Sequence, residues 1–220
     1  MSDRDVMAMI MSAENRWLDG WLAGPTIEGR PLRRGDAVPP VTVYGRDGGE
    51  HQLSEAWADQ PVLVLLWRHL GCGCGRERAR RLVDEIEAYR DTGMGVVIVA
   101  PGDPERVDIY AEQNNLDGVL TFADPEYAAH KAFGLGHWSV EQVLYDAPLE
   151  YCDLSLESGQ KMIEDKRARG ISLVDDEWMQ SGEFVVDKTG HVRVAYAYNY
   201  CEDYPDPAVF VTAGRIASMT

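Results

Sequence analysis

Two cysteines separated by a single glycine, Cys72-Gly73-Cys74, stand just ahead of an amphipathic stretch, with Arg68 and His69 before them and Arg76 after. A thiolate close to a helix N-terminus is stabilised by unpaired backbone N–H groups and the helix dipole, which lowers its pKa. Arg68 and Arg76 would add positive charge there, as would His69 if protonated. A Cys-Gly-Cys pair closes a small disulfide ring only where the backbone bends, which Gly73 permits. Such a bond is expected to be strained and readily reduced. Cys152 and Cys201 complete the set of four cysteines. Taken singly, each reads as a small core residue.

The elements that must carry these residues can be read from hydrophobic periodicity. Pro61 to Trp67 is a continuous apolar run, as expected of a central strand covered on both faces. Residues 76–91 place Ala79, Leu82, Val83, Ile86 and Tyr89 on one helical face, ending at Gly93. Val96 to Ala100 is a second buried strand, Pro104 to Asn114 a helix, Val119 to Phe122 a short strand and Pro125 to Phe133 another helix. Asp103 and Pro104 read as the cap and first position of their helix. Val41 to Tyr44, followed by a turn with an Asp47-Gly48 step, is a hairpin signal, and Glu183 to Tyr198 reads as a closing hairpin. At the N-terminus Val6, Ile10, Ala13, Trp17 and Trp21 recur at helical spacing, with Gly24-Pro25 as a stop. That helix would pack on the domain or on a twin subunit. Strands and helices that alternate before a closing hairpin imply an α/β plan with one mixed sheet.

Composition narrows the function classes. The chain has 220 residues, 21 basic against 37 acidic, for a net charge of −16. That balance argues against a nucleic-acid or anionic-membrane partner, since either needs a basic face. A hydrophobic content of 45% is ample for a core and excludes general disorder. Neither a secretory leader nor a membrane span is evident, so a cytoplasmic location is expected, where free thiols, metal ligation or redox catalysis outweigh structural disulfides.

Gly35-Asp36-Ala37-Val38-Pro39-Pro40, the strand ending Leu66-Trp67-Arg68, then Gly71-Cys72 and Arg76-Glu77 resemble the opening of a peroxiredoxin-like (AhpC/TSA-type redoxin), thioredoxin-fold protein. Leu120 to Tyr127 through Phe133-Gly134-Leu135, and Gly182 to Gly190, are similar to later parts of the same family. The resemblance covers roughly residues 34–136 and 180–210. It implies a three-layer thioredoxin-like domain over 34–220, an N-terminal helix and linker over 1–33, and an insertion at about 137–181. It also implies a thiol reductant or a disulfide substrate as partner, with a homodimer through the N-terminal helix as a further expectation.

The motif departs from the family in one place. Relatives carry Gly-Cys-x-x-Cys-Arg at the strand-to-helix turn, and anchoring on Gly71-Cys72 and Arg76 puts Gly75 where the second cysteine belongs. No register restores the peroxide-attacking motif Pro-x-x-x-Thr-x-x-Cys, so ordinary peroxidase activity is not expected. In a thioredoxin-like sheet the strand at Gly182 lies antiparallel beside the Trp67 strand, and the strand ending near Tyr198 returns to the pole of Cys72. Topology then allows all four thiols to converge. Two readings stay open. In one, Cys72 and Cys74 form a dithiol/disulfide couple, supported by Arg68, His69 and Arg76, with Cys201 or Cys152 as an additional resolving thiol. In the other, Cys72, Cys74, Cys152 and Cys201 hold zinc or an iron–sulfur cluster, or Cys72, Cys74 and His69 hold copper. The redox reading is preferred, on the resemblance and the helix-terminus argument; it needs no cofactor. His130, His137 and His191 read as ordinary, Tyr196, Tyr198 and Tyr200 as one face of an edge strand or the wall of a cleft, and Asp175-Asp176-Glu177 as a solvated turn.

Overall fold

A central β-strand, β3 (Val62–Leu66), is buried along its whole length, and the rest of the molecule is arranged around it. The structure is a computed structural model and describes residues 3–26, 29–70, 72–145, 147–170 and 176–219. In chain order the elements are α1 (Asp3–Ala23), β1 (Thr42–Gly45), β2 (Glu50–Gln52), β3, α2 (Gly73–Arg90), β4 (Gly95–Ala100) and α3 (Pro104–Gln113). They continue with β5 (Leu120–Ala123), α4 (Ala128–Ala132), α5 (Val140–Val143), α6 (Leu156–Ala168), β6 (Gly182–Val186), β7 (Val192–Ala197) and α7 (Pro207–Ala217). Among the described residues seven strands form one mixed sheet in the order β2-β1-β5-β4-β3-β6-β7. β3 runs parallel to β4 and antiparallel to β6, with Leu65 opposite both Ile98 and Glu183.

Because side chains alternate across a strand, the central strands feed two separate cores. Leu63, Leu65, Ile98 and Val185 pack under α2, α3 and α7, against Leu82, Tyr89, Val107 and Phe210. Val62, Val64, Leu66, Val97, Val99, Phe184 and Val186 face the opposite way, toward Trp57, Ala129 and Phe133. Each fully buried side chain of this size contributes about 1.5–3 kcal/mol. Leu63, Leu65, Val97, Val99, Phe184 and Val186, expected in the core, are all buried, divided between the two faces of the sheet, whereas Val83 on the α2 stripe and Ile10 on the α1 stripe are 41% and 45% exposed. The expected helix over Pro125–Phe133 is shorter. Asp124 accepts the N–H groups of Ala128 and Ala129, each at 2.8 Å, so helical bonding starts only there, and Tyr127 takes a left-handed conformation (φ 53°).

The N-terminal helix docks on the chain's own insertion. Trp17 stacks on Trp21 and Trp21 on Trp178, with ring centroids 5.3 Å apart in both pairs. Trp178 Nε1 donates to the Gly20 carbonyl, and Trp21 Nε1 to Ser158 Oγ on α6. Arg167 of α6 pairs with the buried Glu14 of α1. Helix α1 ends at Gly24, whose φ of 71° suits a glycine cap. The two ends of the insertion are tied together, since Trp138 N–H bonds the Trp178 carbonyl and Gln180 N–H the Gly136 carbonyl. The connection after α1 is fixed by Leu32 N–H donating to Phe133 O. Gly134, with φ 74°, is required beside it, because a Cβ there would overlap the Arg30 carbonyl.

This third core makes a direct prediction. Trp21→Ala removes the middle ring of the stack and should cost about 3–5 kcal/mol in urea unfolding. A loss below about 1 kcal/mol would mean that α1 is not docked through its tryptophans.

Candidate functional site

β3 delivers its C-terminal end to the turn that starts α2. Trp67 N–H still bonds Val99 O, and its carbonyl contacts His130 Nε2 at 2.9 Å, so the sheet and the buried His130 together fix the chain before the turn. His130 is thus a support of the turn, in turn backed by Asp124 at 3.5 Å. Cys72 is the N-cap of α2, with extended backbone (φ −87°, ψ 140°), and its sulfur accepts the Cys74 N–H at 3.3 Å. Cys72 and Cys74 stand at disulfide bonding distance with Cα atoms 5.2 Å apart. Cys72 is half-buried, whereas Cys74 is only 7% exposed. Nothing lies within 4 Å of a Cβ built on Gly73, while one on Gly75 would press on the Tyr110 hydroxyl at 3.2 Å. The position the family gives its second cysteine is therefore crowded here.

The residues around the pair have distinct fates. Arg76 is exposed. His69 is buried, and burial, aided by the charges of Arg68, Lys166 and Arg106, holds its pKa well below the ordinary imidazole value. Burial thus disfavours the imidazolium, the form in which His69 would add positive charge to the thiols. The Arg68 guanidinium turns toward the insertion: Nη1 donates to Cys201 Sγ at 2.6 Å, Nη2 to the Glu177 carbonyl, and its plane lies 5.0 Å over the Trp138 ring. Cys201 is thus brought to the pole of Cys72, as the topology argument expects. Cys152 is elsewhere, packed against the tryptophan cluster of α1 and α6. Among the described residues no three or more His, Cys, Asp or Glu side chains are gathered so as to hold a metal ion.

Several functional contacts were not read from the sequence. Arg78, one turn into α2, is buried and forms a two-point ion pair with Glu183 of β6, at 2.6 and 3.1 Å, plus a 2.9 Å contact to Glu85. Burial opposes the Arg78 charge, but Glu183 outweighs it and holds the pKa well above its ordinary value. Tyr198 also donates to Glu183, and Tyr204 donates to the Cys74 carbonyl at 2.9 Å. Tyr198 therefore stands in the site wall, while Tyr196 bonds Asp203 beside the edge strand β7. The available signal was a charge at an apolar position in each of two neighbouring elements, Arg78 on the buried face of α2 and Glu183 inside an apolar strand.

The acidic turn is also different from its expectation. Asp175 lies outside the described residues, but Asp176 accepts His137 Nε2–H at 3.0 Å and Trp178 N–H at 3.0 Å. Glu177 is buried, not solvated, because its backbone carbonyl is the acceptor for Arg68 and the side chain follows inward. Burial pushes its carboxyl pKa up to about 7. A folded pKa raised above the ordinary 4.5 means that the folded state takes up a proton first. That stability is complete below pH 4.5 and is lost as pH rises through 7. Glu177→Gln should abolish this loss and make the protein about 2–3 kcal/mol more stable than wild type at pH 8. Unfolding titrations at pH 5 and pH 8 that leave the difference unchanged would contradict it.

Comparison with known proteins agrees with this architecture. Residues 34–195 match the AhpC/TSA family. A thioredoxin-like protein of Arabidopsis thaliana, AAED1, chloroplastic, is 30% identical over 97 residues, which is 44% of this chain and 39% of the relative's length. The match therefore spans well under half of that relative. The crystal structure of the peroxidoxin BcpB from Mycobacterium tuberculosis superposes with a TM-score of 0.59 at 14% identity, covering 84% of this chain and 97% of that one. A peroxiredoxin-like protein from Aquifex aeolicus gives 0.60 at 16% identity, covering 88% and 92%. No helix among the described residues is long and apolar enough to cross a membrane. With a seven-stranded thioredoxin-like sheet, a cysteine pair at the β3–α2 turn and a family match over most of its length, the chain belongs to the AhpC/TSA family.

Proposed function

We propose that the chain is a thiol–disulfide oxidoreductase working through Cys72 and Cys74. The observation that carries this reading is the position of the pair: two sulfurs at bonding distance, at the N-terminus of the 18-residue helix α2. When reduced, a thiolate on Cys72 keeps the Cys74 N–H and the positive end of the helix, a charge effect of about 0.3–1 kcal/mol at an exposed site. Cys72 is the more accessible sulfur and attacks the substrate disulfide. A mixed disulfide forms and one substrate thiolate leaves. Cys74 then attacks Cys72 Sγ, which closes the protein disulfide and releases the second substrate thiolate. Two electrons pass from the protein to the substrate, and thiols of a reductant reverse the sequence.

Rapid peroxide reduction is not part of this reading. Gly75 occupies the family's attacking position and no threonine hydroxyl is supplied by the motif. The two buried guanidiniums nearby are held by protein partners, Arg78 by Glu183 and the Nη atoms of Arg68 by Cys201 and the Glu177 carbonyl.

Under this mechanism Cys72→Ser should reduce exchange with oxidised glutathione to the uncatalysed background. Cys74→Ser should accumulate a glutathione adduct on Cys72, visible by intact mass. Equal residual activity in the two variants, with no trapped adduct, would refute the assignment of roles. In stopped flow, the reduced wild-type protein should not consume hydrogen peroxide rapidly and stoichiometrically; if it does, the non-peroxidase reading is wrong.

A further inference from the structure

Cys201 is a thiol at the same pole that the mechanism above leaves unused. It lies just beyond β7, half-buried, with Arg68 Nη1 donating to its sulfur at 2.6 Å. Cys201 and Cys74 both line one cavity of about 10 Å³, together with Tyr198 and Tyr204. That is room for about one water molecule. Arg68 also lines this cavity, and its Nε is buried without a hydrogen-bond partner. A thiolate formed on Cys201 therefore has a fixed cation beside it with donor capacity in reserve. Burial pushes the Cys201 thiol up, and Arg68 works against that rise. Cys152, by contrast, packs against the apolar helical cluster.

We propose that Cys201 is a third redox thiol, which exchanges with the Cys72–Cys74 disulfide and carries the sulfur–sulfur bond inward to Cys74–Cys201. The proposal rests on the dithiol reading above. Cys201, deprotonated to solvent, attacks Cys74 Sγ. The new bond forms as the bond to Cys72 breaks, and the electron pair leaves on Cys72. Two sulfurs remain at the disulfide level throughout, so no oxidant or reductant is consumed. The departing Cys72 thiolate sits at the helix cap, where the Cys74 N–H lies 3.3 Å from its sulfur. Exchange would thus return the accessible thiol to its nucleophilic form while the oxidised bond is held in the interior.

Disulfide mapping tests this. Cys72→Ser protein, which cannot form the outer bond, is held with excess oxidised glutathione until the slow uncatalysed exchange is complete, and the glutathione takes up the two thiol hydrogens as reduced glutathione. The protein is then alkylated in denaturant and digested without reduction. The expected result is a protein lighter by two hydrogen atoms, a linked Cys74–Cys201 peptide, and loss of that peptide when Cys201→Ser is added but not when Cys152→Ser is added. Wild-type protein poised in mixed glutathione should give both the Cys72–Cys74 and the Cys74–Cys201 peptides. Recovery of Cys72–Cys74 from wild type, with Cys74 and Cys201 both alkylated or carrying glutathione in the variant, overturns the exchange step alone. Absence of Cys72–Cys74 from oxidised wild type overturns the dithiol reading, and the exchange step with it.

Discussion

The buried Arg68 guanidinium, at the end of the central strand, is the contact on which the arrangement of the site depends. A cation removed from water costs several kcal/mol unless its donors are met. Among the described residues no carboxylate stands within ion-pair distance of it; a sulfur, a backbone carbonyl and an aromatic face take that place. Those three partners come from the segment after β7, the return of the insertion and its start. One side chain therefore joins the cysteine turn to elements far apart in sequence. Trp138 Nε1 and Gln180 Nε2 both reach the Tyr198 carbonyl, at 2.7 and 2.8 Å, and hold the same junction from the backbone side.

A second buried charge acts in the opposite direction, from β6 into α2. The Arg78–Glu183 pair is fully formed, and Tyr198 shares the same carboxylate. Breaking such a pair from one side costs about 3–5 kcal/mol, since the remaining ion is stranded. The first two turns of α2 are thereby held on the sheet, which keeps the helix N-terminus directed at Cys72 and Cys74. A mobile helix end would offer the thiolate a weaker and less well aimed set of N–H donors. The cysteine pair is flexible in sequence, with glycines on three sides, but rigid in its support.

The central strands, α2, α3 with its Asp103 cap and Pro104, and the closing hairpin were legible because each satisfies a local rule: apolar run, 3.6-residue period, cap or turn. The cysteine turn was legible for the same reason. What the sequence hid depends on tertiary placement. His69 was read as a source of charge only if protonated, and it follows a buried strand into the interior, where burial and the nearby cations disfavour that form. Glu177 looked solvated beside two aspartates, but its carbonyl is needed by Arg68 and the side chain goes in with it. The docking of α1 was legible as an apolar stripe, whereas its partner surface, Trp178 and the small Gly159 face of α6, lay in the insertion at about 137–181, where no element was read. Arg78 and Glu183 needed knowledge of which strand lies under which helix.

The central claim is that the Cys72–Cys74 bond is a working redox couple. A redox titration in defined thiol–disulfide buffers, read by the mass of the alkylated protein, addresses it most directly. The account predicts one reversible two-electron transition of these cysteines, within the span of roughly −270 to −120 mV occupied by disulfide-exchange proteins. A bond that stays oxidised below about −300 mV, in the range of structural disulfides, or cysteines that never pair, would contradict it.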